Sequence, residues 1–412
     1  MARFSIAHVT PNWFASVMGT GIVATSAATL PAQFPGLRQG AVGVWLLASA
    51  MLLFLLTATA LHWARHPAAA RAHHADPVMA HFYGAPPMAL LTVGAGTLLV
   101  GRDVVGLQAA VAIDTVLWSV GTVAGLVSAV AVPYLAFTRH QNPAGSAFAG
   151  WLMPVVPPMV SAATGALLLP YLPPGEARET MLLACYAMFG LSLIASLVVL
   201  PQLWGRLMHH QVGASRMVPT LWIALGPLGQ SVTAANLLAA NAGGTFGASF
   251  DRGLMSFAIV FGVSVLGFAL MWAGIAAAIT LRAAVRGLPF SLTWWSFTFP
   301  VGTCVTATAG LAAHTGLTAL VVLSVLLFAA LVAAWVTVAV RTAWDSLAGS
   351  RAVTQVEAQV AGQVEARLAG QVVAQVGVVQ VGAGTVLGGP VVPAGAAQAE
   401  GLGDPRAMSS VG

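Results

Sequence analysis

Lysine is absent from this sequence: all 16 basic side chains are Arg, and only 11 residues are Asp or Glu. Charged residues make up 7% of the 412 residues, whereas 58% are hydrophobic. The absence of lysine excludes the lysine-rich face of a nucleic-acid-binding protein. The composition is also too apolar for a soluble domain. Cysteine is also scarce. Cys185 and Cys304 lie far apart in apolar stretches, which argues against a disulfide or a metal pair.

Hydrophobic runs long enough to cross a bilayer recur ten times. Because lipid offers no partners for free backbone groups, each run is expected to be helical. The first is interpreted as a membrane span and not as a signal peptide, because Pro11 and Asn12 interrupt it and little positive charge precedes it. The predicted spans are 11–30, 41–64, 82–100, 106–136, 150–171, 181–205, 217–241, 254–281, 290–313 and 317–343.

Short connections between these spans predict five antiparallel helical hairpins. The fold class is therefore an all-α polytopic membrane protein, with a ten-helix domain over residues 1–346. From 347 to 412 the chain is rich in Val, Ala, Gly and Gln. This tail is predicted to be cytoplasmic, helical at first and then disordered.

Arginine is distributed unevenly between the two predicted faces of the membrane. Four arginines fall on the connections that follow odd-numbered spans, namely Arg38, Arg102, Arg178 and Arg252, and the other twelve fall on the opposite face. Since cytoplasmic loops carry the excess of positive charge, both termini are predicted to be cytoplasmic, in a bacterial-type inner membrane.

Helix-breaking residues recur at intervals of about 70 residues, on the odd-numbered spans. Breaks leave backbone polar groups that lipid cannot satisfy, so we expect the odd helices to form an inner ring around a central pore and the even helices an outer ring. Helix N-termini facing that pore would favour an anion. The residues at the breaks are Gly19, Thr20, Gly21, Pro86, Pro87, Pro157, Pro158, Gly226, Pro227, Pro300 and Gly302.

The predicted inner spans contain no Asp, Glu or Arg, which disfavours selectivity by fixed charge. Their polar side chains are hydroxyls and amides, the expected lining of a wet pore. These are Thr20, Ser161, Thr164, Gln230, Ser231, Thr233, Thr298 and Thr303. The one acid within a span, Asp114, lies on an even span, where we expect it to pair with an Arg or a Thr in a structural role.

Two motifs resemble the tellurite-resistance/dicarboxylate transporter family, which includes plant slow anion channels, fungal malate permeases and sulfite efflux pumps. They are Pro11-Asn-Trp-Phe-Ala-Ser-Val-Met-Gly-Thr-Gly-Ile22 and Trp294-Trp-Ser-Phe-Thr-Phe-Pro300; Gly226-Pro-Leu-Gly-Gln230 is similar to the sulfite-pump branch. The resemblance implies a homotrimer with one pore per protomer, blocked by Phe299. It implies transport of a small anion, either a C4-dicarboxylate such as malate or an oxoanion such as sulfite or tellurite, with neither enzymatic activity nor a cofactor.

A different hypothesis is a membrane-embedded metal or haem redox protein that uses histidines beside the membrane. His73, His74, Asp76 and His81 precede the third span, and the pair His209-His210 precedes the seventh. Adjacent histidines lack the helical spacing of metal ligands, and loop histidines are commonly just solvated. We therefore predict no metal site.

Overall fold

Long and short helices alternate along the chain in the computed structural model, which describes residue 6 and residues 9–143 and 145–346. The predicted tail, 347–412, lies outside the described residues. No strand occurs in the described part. The helices are α1 (Phe14–Thr29), α2 (Leu37–Arg65), α3 (Pro67–Ala75), α4 (Ala85–Gly96), α5 (Arg102–Val105), α6 (Leu107–Thr138), α7 (Pro157–Leu168), α8 (Glu176–His210), α9 (Leu225–Asn241), α10 (Ala248–Val285), α11 (Phe299–Thr315) and α12 (Thr318–Ser346).

Seven of the described helical segments are long and apolar enough to cross a membrane. Five of them are α2, α6, α8, α10 and α12; the other two are Met79–Val105, which contains α4, and Ser215–Asn241, which contains α9. The prediction of an all-helical, multi-pass membrane protein is confirmed. The remaining predicted spans contain α1, α7 and α11, which have 16, 12 and 17 residues.

Burial separates the helices into an inner and an outer set. In the apolar windows of α2, α6, α8, α10 and α12 only 11–33% of residues are buried, against 72% around α4 and 89% around α9. The inner helices contact one another in a closed ring: α1 contacts α4, α4 contacts α7, α7 contacts α9, α9 contacts α11 and α11 contacts α1. A ring buried on all sides accounts for helices that are apolar or small around their whole circumference.

The prolines predicted to break helices lie at helix starts, whereas Gly19, Thr20 and Gly21 lie inside the uninterrupted helix α1. A 3-10 helix precedes each inner α-helix, and Pro86, Pro157 and Pro300 occupy the first or second position of the α-helix that follows. Proline costs no helical hydrogen bond there, because its missing N–H would have had no partner. The 3-10 segments are Pro11–Trp13, Met79–Gly84, Ala149–Leu152, Ser215–Ala224 and Leu292–Phe297.

The polar groups at these junctions are largely satisfied by protein, contrary to the expectation that they would face a pore. Ser192 of α8 accepts a hydrogen bond from the Met159 backbone N–H at 3.0 Å and donates its hydroxyl to the Val155 carbonyl. The N–H of Gly302 donates to the Thr298 carbonyl at 2.9 Å. Free backbone donors at these junctions are therefore a weak basis for anion selectivity.

Tryptophan N–H groups join the outer helices to the inner ring. Trp45 of α2 donates to Thr97 at 3.1 Å, and Trp118 of α6 donates to the Ser161 carbonyl at 2.9 Å. Trp335 of α12 donates to the Thr20 hydroxyl at 3.2 Å. Each bond satisfies a polar atom at a depth where lipid could not.

Asp114 differs from its predicted role. The residue is fully buried between α6 and α4, and neither carboxylate oxygen has a hydrogen-bond partner among the described residues. A Cβ built on Gly94 of α4 would overlap the Asp114 carboxyl group. The expected pairing with Arg or Thr is therefore absent, and close contact with a glycine takes its place.

Candidate functional site

The inner ring encloses a cavity of about 290 Å³ that all five inner helical segments line. It extends from Phe299, at the start of α11, to His314 in the last turn of that helix. The lining contains no Asp, Glu or Arg. Its polar residues are Thr25, Thr29, Thr92, Thr164, Gln230, Thr233, Asn236, Thr306 and His314.

A second, smaller cavity of about 30 Å³ lies at the N-terminal ends of the same segments. Its lining is mainly apolar and includes Met18, Met88, Met153 and Val156. Among the described residues, Phe299 alone lines both cavities. Phe299 therefore lies between the larger cavity and the smaller one.

The site residues predicted from sequence divide into three groups. Phe299, Gln230, Thr164 and Thr233 line the larger cavity, and Gly226, Pro227 and Pro300 line the smaller one together with Phe299. The others lie outside both linings. They are Gly19, Thr20, Gly21, Pro86, Pro87, Pro157, Pro158, Ser161, Ser231, Thr298, Gly302 and Thr303.

Contacts of these outlying residues explain their positions. Thr20 faces Trp335, whose indole donates to its hydroxyl, and Thr303 lies between α9 and α11, where its hydroxyl donates to the Pro300 carbonyl at 2.7 Å. A Cβ on Gly19 would overlap Thr298, and one on Gly302 would overlap Ile22. Gly19 and Gly302, which were predicted to break helices, instead permit close packing between helices.

Most cavity threonines already donate their hydroxyl hydrogens to backbone carbonyls. Thr92 donates to Met88 at 2.7 Å, and Thr164 donates to Val160 at 2.9 Å. The Gln230 amide differs, since it makes no hydrogen bond to a described residue and Gln230 lines the cavity. Its N–H₂ group is therefore available as a donor to a bound anion.

Sequence reasoning missed several residues of the larger cavity, including Asn236, Thr306 and His314. Asn236 and Thr306 lie within predicted inner spans, but periodicity cannot show which face of an all-buried helix meets a cavity. His314 lies one residue beyond the predicted end of its span. A list of every polar residue on the odd-numbered spans, extended by one residue at each end, would have included all three.

The histidines near the membrane face have contacts other than metal ligation in the part of the chain that the structure describes. No group of three or more His, Cys, Asp or Glu suited to a metal ion occurs among the described residues. Instead, Asp76 accepts hydrogen bonds from the backbone N–H groups of Val78 and Met79 at 2.8 and 2.7 Å, and His74 stacks on Tyr83 at 4.4 Å. Burial lowers the pKa of His73 and of His74, so both rings favour the neutral form.

A cavity inside a multi-pass helical bundle is an arrangement found in channels and transporters. The chain belongs to the voltage-dependent anion channel (SLAC1) family, whose family model matches residues 8–343. This confirms the membership indicated by the motifs of the first and ninth predicted spans.

Individual relatives cover most of the chain. The sulfite efflux pump SSU1 of Arthroderma otae is 29% identical over 357 residues, which is 83% of this chain and 92% of that protein. SSU1 of Trichophyton rubrum is 30% identical over 319 residues, or 74% of this chain and 82% of that protein. An uncharacterized transporter of Methanocaldococcus jannaschii is 28% identical over 301 residues, which is 73% of this chain and 82% of that protein.

Proposed function

We propose that this protein transports small anions along the axis of its inner ring. The observation that carries the proposal is the larger cavity, whose mainly apolar wall carries hydroxyls and amides, among them the free Gln230 amide, and no carboxylate. Such a lining replaces part of an anion's hydration shell without attracting cations. The matching family model is that of an anion channel and the relatives are named pumps and transporters, so we propose no enzymatic activity.

Sulfite is the substrate that we propose first. The support is that relatives named sulfite efflux pumps align over most of their own length with this chain. A cavity of about 290 Å³ also has room for a C4-dicarboxylate, so malate and tellurite belong in the same comparison.

Purified protein in liposomes tests this function. With a salt gradient across the membrane, the reversal potential should follow the anion, and sulfite uptake should exceed that of empty liposomes. Gln230→Leu should reduce the flux because it removes the free amide donor. A reversal potential that follows the cation would contradict the proposal.

We further propose that Phe299 is the gate of this pore. The proposal rests on its position between the two cavities and on the family resemblance of the segment that ends at Pro300. An aromatic ring across a narrow apolar passage prevents continuous hydration, and a rotamer change would restore it.

The wider arrangement is also a proposal. It comprises ten spans as five hairpins, a homotrimer with one pore per protomer, and both termini in the cytoplasm of a cell with a bacterial-type inner membrane. The alternation of long and short helices supports the hairpins, and the resemblance to trimeric channels is the basis for the trimer. A trimer contact would cover part of the apolar surface that the outer helices expose.

Orientation is tested by reporter fusion. We expect a reporter that is active only in the periplasm to stay silent when fused after Arg351, because the arginine-rich face should be cytoplasmic. The same reporter inserted at Gly243, in the loop between α9 and α10, should be active. Strong periplasmic activity after Arg351 would contradict the proposed topology.

A further inference from the structure

His314 is the one titratable residue among those that line the larger cavity. It lies in the last turn of α11, at the opposite end of the cavity from Phe299, and is half-buried. Every other polar group in the lining is a hydroxyl or an amide, whose charge does not change with pH. Only His314 can therefore place a formal charge in this space.

The hydrogen bond of the His314 ring fixes which nitrogen carries the proton. Nε2 lies 3.3 Å from the backbone carbonyl oxygen of Asn236 in α9. A carbonyl oxygen only accepts, so Nε2 must be the donor, and Nδ1 is the acceptor of the neutral ring. Protonation at Nδ1 therefore creates an imidazolium without breaking the contact with α9.

Helix geometry makes a positive charge favourable at this end of the cavity. The C-terminal ends of the inner α-helices, among them Thr29, Leu168, Asn241 and Thr315, are on the His314 side. C-terminal ends carry negative partial charge, which repels an entering anion and attracts a positive one. A neutral His314 would leave that repulsion unopposed.

The charged residues at the same ends of the helices are not part of the lining. Arg38 pairs with Asp103 through a 2.8 Å hydrogen bond on the exposed surface, and Arg178 donates to the Leu172 carbonyl at 2.7 Å. Asp251 accepts from the Gly244 N–H at 2.9 Å. Arg252 is exposed on α10, beside Ser249. None of them shares the cavity with His314, so none can replace its charge there.

We propose that protonated His314 is the specificity-determining group that admits anions to the larger cavity. Anion flux then increases as the pH on this side of the protein falls. The inference rests on the proposed transport function, which it extends by naming the residue that supplies the positive charge.

Nitrate flux into proteoliposomes at equal internal and external pH tests the inference. Nitrate is the probe because its own charge is constant, whereas sulfite takes up a proton near neutrality. We expect the wild-type flux to rise several-fold as the pH is lowered from about 8 to about 5. His314→Gln should give a low flux that varies little with pH, and His314→Arg a high flux that varies little with pH.

The control is His209→Gln, which changes an exposed histidine outside the cavity and should keep the wild-type pH dependence. The inference is overturned if His314→Gln retains the full pH dependence of the wild type. If His314→Gln does not fold, His314→Arg replaces it in the test, and full pH dependence of His314→Arg overturns the inference. If wild-type protein carries no anion at any pH, the proposed transport function itself fails. Anion flux that is present but independent of His314 overturns the inference alone.

Discussion

Replacing Phe299 by alanine should raise anion flux by about tenfold or more, because it joins the two cavities into one continuous passage. The ring borders empty space on both sides, toward the cavities of about 290 and about 30 Å³. A well-packed phenylalanine costs about 3–5 kcal/mol of stability when truncated. Phe299 is buried in the apolar core, but its truncation should cost less than this because part of its side chain borders the two cavities.

Phe297 is the matched control two residues earlier. It is half-buried, and its ring centroid lies 5.6 Å from that of Trp222 and 5.8 Å from that of Trp294. It lines a separate apolar crevice beside α10 and α12. Phe297→Ala should therefore lower thermal stability without raising flux. The test measures anion flux and melting temperature for both variants. Only protein that elutes from a size-exclusion column at the wild-type volume is used. Opening by Phe297→Ala but not by Phe299→Ala would refute the gate.

The sequence predicted the membrane class and the helix positions well because both depend on composition. A run of apolar residues without charge must be helical in lipid, whatever its neighbours are. The positions of Pro86, Pro157 and Pro300 were also informative, but their meaning was misjudged. Proline is compatible with the middle of a bent helix and with the first turn of a new one, and only the structure distinguishes these two.

The candidate site was harder to predict than the fold. Gln230 and Phe299 were identified because each lies beside a break or a family motif. Asn236 and His314 carry no such local signal, and their role depends on which helix faces converge in three dimensions. Thr20 illustrates the opposite error: its hydroxyl suggested a pore lining, yet it accepts from Trp335 on an outer helix.

The segment from Gly226 to Gln230 lines the smaller cavity at Gly226 and Pro227, packs against α11 at Gly229 and lines the larger cavity at Gln230. Substitutions of its two glycines should differ strongly in their effect on stability. Gly229 lies against α11, where an added Cβ would be 2.7 Å from the backbone nitrogen of Cys304. Backbone atoms cannot rotate away as a side chain can, so Gly229→Ala must push α9 and α11 apart. Overpacking of this kind costs about 1–3 kcal/mol. We expect a melting temperature several degrees lower and a smaller yield of folded protein.

Gly226→Ala is the control, since it is the same substitution in the same helix. No heavy atom lies within 4 Å of a Cβ at that position, so there is nothing for the methyl group to displace. Alanine favours the helix by about 1 kcal/mol over glycine, so stability should be unchanged or slightly higher. Thermal melting of the two variants in one detergent measures the difference. Equal stability of Gly229→Ala and wild type would mean that α9 and α11 are less closely packed than their contact indicates. The inner ring would then have room to widen at this position, and the case for a narrow passage gated by Phe299 would weaken with it.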